Sequence, residues 1–211
     1  MALILIDYVT ENQTAFESKV RSISSKLGID PNHLMIVMYK ESKLNHRAYN
    51  AASGASGLIQ FLPSTARNLG TTTEALRSMS NVSQLDYVYA YLKQYKARSL
   101  TDLYFSVFYP VAIGKASSYV IARSPSVTYR QNAAVDVSKD GVLTVADVSK
   151  WLQSNLPAEA QSYLSGSRVQ GQTASWVFLL LLVGAGGYYA YQKGYLNKAI
   201  KSLKTLKLPK L

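Results

Sequence analysis

One acid falls where it could be put to work. Leu34, Val37, Met38 and Leu44 recur at helical spacing, and Glu41 sits on the same stripe. A carboxyl on the apolar face of a helix loses hydration, and its pKa rises toward the range of a general acid. A solvated surface glutamate between Lys40 and Lys43 is the bland alternative. No second carboxylate lies nearby to work with it, because Asp30, Glu74, Asp86 and Asp102 read as caps or surface charges. With no cysteine in the chain, thiolate nucleophiles, thiolate metal sites and disulfides are excluded. The chemistry open to Glu41 is general acid catalysis.

A second set of oxygen donors lies in DVSKDGVLTVAD, residues 136–147. Asp136, Ser138, Asp140, the Val142 carbonyl, Thr144 and Asp147 fill positions 1, 3, 5, 7, 9 and 12 of a calcium loop, with Gly141 at the turn. The pattern resembles EF-hand and dockerin loops and implies a structural Ca2+. A polar turn without metal is the alternative. Asp147 stands where such loops usually carry the longer Glu, which predicts low affinity.

Downstream of Glu41 the chain reads ESKLNHRAYNAASGASGLIQFLPSTARNLG. Glu41 and Ser42, then Ala48 and Asn50, Ser53, Gly54 and Ala55, then Gly57, Leu58 and Gln60, then Pro63, Thr65 and Ala66 follow in the order and spacing of a known motif series. The segment resembles the soluble lytic transglycosylase family, relatives of goose-type lysozyme, over roughly Phe16 to Arg123. That resemblance implies peptidoglycan as substrate, Glu41 as the catalytic acid, and Ser42, Asn50, Gly57 and Gln60 at the glycan. It also implies a tyrosine that bonds the acid, for which the best counterpart is Tyr109; the family's following Asn is here Pro110. The implied reaction cleaves the bond after N-acetylmuramic acid and leaves a 1,6-anhydro product, with no catalytic cofactor. A lysozyme-like hydrolase and a noncatalytic glycan-binding membrane protein are the alternatives.

Helix signals must position these groups. Phe16, Val20, Ile23 and Leu27 mark a first helix stopped by Gly28, and Asp30-Pro31 opens the one that bears Glu41. Val148, Trp151 and Leu152 share a face of a helix leaving the calcium loop. Seven tyrosines between Tyr87 and Tyr119 read mostly as core, with some faces open to glycan. The fold class expected is all-α: a lysozyme-like catalytic domain over residues 1–130, the EF-hand-like loop and helix over 131–156, and a flexible Ser/Gly/Gln tether over 157–173.

The remainder reads as an anchor. Of 23 Lys and Arg, six lysines fall after Gln192 with no acid among them; the other 17 against 12 acids leave only +5 of the +11 net charge. Val169 to Gln192 is uncharged, and residues 174–192 suit a single membrane span flanked by Trp176 and Tyr188, Tyr189 and Tyr191. The basic tail, 193–211, suits an anionic lipid surface, with nucleic acid as the alternative partner. The opening MALILIDYVTENQ lacks the basic start and long apolar run of a secretory leader. This architecture predicts a bacteriophage protein of an internal virion membrane; a bacterial inner membrane with a periplasmic catalytic domain is the alternative.

Overall fold

In the computed structural model, residues 2–166 are described. Helix α1 (Gln13–Leu27) buries Phe16, Val20 and Ile23 and stops at Gly28, whose φ of 67° is the left-handed conformation that closes a helix end. Asp30 then caps α2 (Pro31–Ser42), its carboxylate accepting the Asn32 N–H at 2.8 Å while Pro31 occupies the first helical position. The apolar residues of α2 do not form one stripe. Leu34, Met35, Ile36, Val37 and Met38 are all fully buried, because the run LMIVM is apolar around the whole circumference and such a helix belongs inside.

Other helices assemble around it. A long loop over residues 43–62 leads into α3 (Pro63–Asn68) and α4 (Thr73–Ser78), followed by α5 (Asn81–Leu92) and α6 (Leu100–Phe108). α1 packs on α2 and α5, and α6 also packs on α2. Ser80 and Ser99 cap α5 and α6 through their side chains.

The all-α expectation is corrected by a small sheet. β1 (Val120–Arg123) pairs antiparallel with β2 (Val142–Thr144), with Arg123 opposite Val142, Ala122 opposite Leu143 and Val120 opposite Thr144. Three or four residues are too few to show alternation in the sequence, yet Ala122 and Leu143 reach the core from this ladder. Between the strands lie α7 (Val127–Asn132) and the loop 136–141, and β2 runs directly into α8 (Val145–Gln153). Positions 7 to 9 of the loop thus pair with a strand from outside any second loop of its kind.

The tether expected over 157–173 begins as a helix instead. α9 (Ala158–Leu164) buries Ala160 fully, and Glu159 Oε1 accepts the Leu5 N–H at 3.0 Å. The Tyr163 hydroxyl donates to the Asp30 carboxylate. Good helix formers in AEAQ outweigh the Ser and Gly that follow them. No helix among the described residues is long and apolar enough to cross a membrane. The span at 174–192, the tail at 193–211 and the end of the tether lie outside the described residues.

Candidate active site

Glu41 lies in the last turn of α2, partly buried. Tyr104, buried on α6, lies beside it, its hydroxyl near enough to favour the ionised carboxyl. Burial pushes the Glu41 pKa up from 4.5 to about 7, against the opposing effects of the Tyr104 hydroxyl and the Lys40 charge. Desolvation wins, so this carboxyl holds a proton near neutrality while ordinary glutamates have lost theirs. Tyr104 is itself pushed well above its ordinary value, first by burial and then by the carboxylate, and stays a donor.

The other acids weighed against Glu41 are engaged elsewhere. Asp30 caps α2, Asp86 pairs with Lys19 at 2.6 Å, Glu74 lies 3.6 Å from Arg77, and Asp102 accepts the N–H groups of Arg98 and Gly114. Each serves as the cap or surface charge that its context implies.

The loop after Glu41 is held by buried polar groups. Ser42 is buried, and its Oγ lies 3.0 Å from the Met38 carbonyl and 2.9 Å from that of Leu58, tying the end of α2 to the loop. Asn50 is exposed, and its side-chain oxygen accepts the N–H groups of Ala52 and Ser53 in a local turn. Gln60, at φ 50°, donates its amide to the Gly57 carbonyl at 3.1 Å.

Gly57 has a reason that the sequence does not show. Its φ is 81°, and a Cβ there would fall 2.5 Å from Gln84 Oε1. Gln84 is fully buried on α5. Its Oε1 accepts the Leu58 N–H at 2.6 Å, and its amide donates to the carbonyls of His46 at 2.9 Å and Leu76 at 2.7 Å. One side chain therefore satisfies three backbone groups far apart in the chain.

Two residues of this site escape sequence reasoning. Gln84 is one, betrayed only by a polar side chain beside Leu85 and Val88 on an apolar face. Tyr104 is the other. The neighbour of Glu41 expected at Tyr109 is Tyr104 instead, because α6 ends at Phe108 before Pro110 and leaves Tyr109 half-buried at its cap, outside the helix. An exposed ring, Tyr49, also rises from the loop, with the Arg77 guanidinium 4.5 Å over it.

The loop 136–147 forms a separate site. Asp136 is buried and accepts from the Tyr129 and Ser138 hydroxyls and from the backbone N–H groups of Lys139 and Gly141. Those bonds, the Tyr129 one foremost, hold its pKa below the ordinary value. Burial acts to raise the pKa of Asp147, but bonds from Thr144 and Ser138 outweigh it and the net shift is downward. Asp147 completes a capping box with Thr144 at the start of α8. Asp140 accepts the Val142 N–H, and Gly141 turns at φ 80°. Among the described residues no three His, Cys, Asp or Glu side chains gather as a metal-holding group. The donor set is nonetheless all hard oxygen with two carboxylates held ionised, a chemistry that fits a calcium ion.

Residues 18–108 match the family model described as Transglycosylase SLT domain. The matched stretch contains Glu41, the loop through Gln60, Gln84 and Tyr104, and it stops short of Tyr109 and the loop 136–147. In this part the chain is similar to a family of peptidoglycan-cleaving enzymes.

Proposed function

We propose that the protein is a lytic transglycosylase that cleaves the β-1,4 bond between N-acetylmuramic acid and N-acetylglucosamine in peptidoglycan, with Glu41 as its acid and base. The observation that carries this reading is a carboxyl whose pKa burial pushes up to about 7, beside the Tyr104 hydroxyl, within a stretch similar to the SLT domain. Protonated Glu41 delivers its proton to the glycosidic oxygen as the bond to the muramyl C1 breaks. The resulting carboxylate then takes the proton of the muramyl C6 hydroxyl as that oxygen bonds C1, which closes the 1,6-anhydro ring and regenerates the acid. Tyr104 steadies the carboxylate between the two steps. Mass spectrometry of the products tests this directly: anhydromuropeptides are expected, whereas reducing ends alone would make the protein a hydrolase and an absence of products would make it a glycan binder.

The sign of the pH dependence follows from the first step. It needs the protonated acid, so with a pKa of about 7 the cleavage rate is expected to fall about tenfold per unit above that pH. Initial rates of muropeptide release from pH 5 to 9 check it, and a rate still rising at pH 9 would exclude Glu41 as the acid.

Calcium in the loop 136–147 belongs to the proposal as a structural ligand. Asp136, Asp140, Asp147, Ser138, Thr144 and the Val142 carbonyl would hold it; when bound it supplies positive charge to the loop and no step of the cleavage. Isothermal titration is expected to show uptake at up to millimolar calcium, with thermal stability rising on addition and falling with chelator. No heat at millimolar calcium would remove the ion from this reading.

Anchoring completes it. The uncharged stretch Val169 to Gln192 and the lysines after it support a single span whose basic tail faces anionic lipid. An internal virion membrane, with the enzyme opening the cell wall for genome entry, suits a small wall-cutting domain joined to a late span. Copurification with virions separates this from a bacterial inner-membrane enzyme facing the periplasm.

A further inference from the structure

The family match ends at residue 108, but the groups that set the environment of Glu41 are fastened beyond it. α8 packs on α6 and brings Trp151 against two of them. The Tyr104 ring lies 5.6 Å from the Trp151 ring, tilted by 44°. The Lys40 ammonium sits 4.0 Å from the centre of the same indole. It also donates to the carbonyls of Trp151 at 2.8 Å and Ser154 at 3.0 Å, at the carbonyl end of α8. Lys40 and Tyr104 are the charge and the hydrogen-bond donor that act on the Glu41 carboxyl.

We infer that Trp151 is a positioning residue for Glu41: the indole and the carbonyl end of α8 hold the Lys40 ammonium and the Tyr104 hydroxyl in place beside the carboxyl and so fix the pH at which it gives up its proton. This rests on the reading of Glu41 as the catalytic acid. A lysine on a four-carbon stem samples many positions in water, and its field at a neighbour averages down. Two carbonyls and an aromatic face remove that freedom, adding a cation–π attraction. Thr101 and Ser149 join the same two helices by a hydroxyl bond of 3.1 Å, so the face of α8 is fixed on α6.

Two other lysines lie nearby. Just past the end of α2, the Lys43 ammonium, whose charge also acts on Lys40, lies 4.1 Å over the Tyr39 ring, which meets Tyr8 edge-on. On α8, Lys150 lines a groove with Asp102 and Lys115. Burial lowers the Lys40 pKa to about 8, still above that of Glu41, so Lys40 is charged while the acid titrates.

The test uses the full-length protein labelled with 13C at glutamate carboxyls, the Glu41 signal being assigned by its loss in Glu41→Gln. In Lys40→Met, which keeps the stem but loses the charge, the Glu41 midpoint is expected to move up by on the order of one pH unit. Trp151→Leu is expected to move it the same way, since a released ammonium is drawn into water, and Lys40→Arg to restore it most of the way. The alkaline limb of the cleavage profile should move in parallel. A folded Trp151→Leu variant whose midpoint and alkaline limb stay at the wild-type values, or move down, overturns the inference. Should that variant unfold, an unmoved midpoint in Lys40→Met overturns it equally. The carboxyl signal titrates whether or not the chain cuts glycan, so failure of the proposed activity is read separately from failure of the positioning role.

Discussion

Glu41→Gln is expected to abolish cleavage of purified peptidoglycan and, at the same time, to make the protein harder to unfold. The amide fills the same space and can still accept the Tyr104 hydroxyl, but it has no proton to give, so the rate should fall on the order of a thousandfold or more. The gain in stability follows from the raised pKa. The folded state binds the Glu41 proton more tightly than the unfolded state, so ionisation opposes folding progressively from pH 4.5 to about 7 and fully above that. At 1.36 kcal/mol per unit the difference is on the order of 3 kcal/mol, which the neutral amide recovers at pH 8 and not at pH 4. Muropeptide release and thermal unfolding at those two pH values check both halves. A variant that is inactive but no more stable at pH 8 would mean that the carboxyl is not desolvated as described.

Gln84→Leu should cost about 3 kcal/mol or more. The new side chain is apolar and close in size, but it strands the Leu58 N–H and the carbonyls of His46 and Leu76 in the interior, and each orphaned buried group costs about 1–3 kcal/mol. Gly57→Ala attacks the same contact from the other side, by forcing a methyl group toward Gln84 Oε1 at a residue with φ 81°. Because the two share one space, the cost of Gly57→Ala should shrink when Gln84 is already alanine. Denaturant unfolding of the four proteins of that cycle measures the coupling, and strictly additive costs would show that Gln84 does not brace the loop.

The acid was legible because two independent patterns meet on it, an apolar helical stripe and a spaced run from Ser42 to Ala66. The same spacing singled out Gly57 and Gln60, but not the contacts that they make within the loop and with Gln84. Gln84 was hidden because its three partners come from residues 46, 58 and 76, which no local window joins to it. Tyr104 was one tyrosine among seven, and choosing it required knowing that α6 stops before Pro110. The strands β1 and β2 escaped because they are shorter than the alternation that reveals a strand, and α9 because Ser and Gly just beyond it disguised a short helix as tether.

The attachment of α9 also has a mechanical meaning. Its bonds reach Asp30, at the opening of α2, and Leu5, near the start of the chain. Glu41 lies eleven residues farther along that helix, about 16 Å from Asp30 at 1.5 Å per residue. Traction arriving along the chain after Leu164 therefore enters the fold at the end of α2 remote from the acid. The bonds of Tyr163 and Glu159 take the load first, and α9 can peel away before the strain reaches Tyr104 or the loop held by Gln84. α9 thus acts as a fuse, giving way at the Asp30 end of α2 before a pull reaches the carbonyls of Trp151 and Ser154 that hold Lys40.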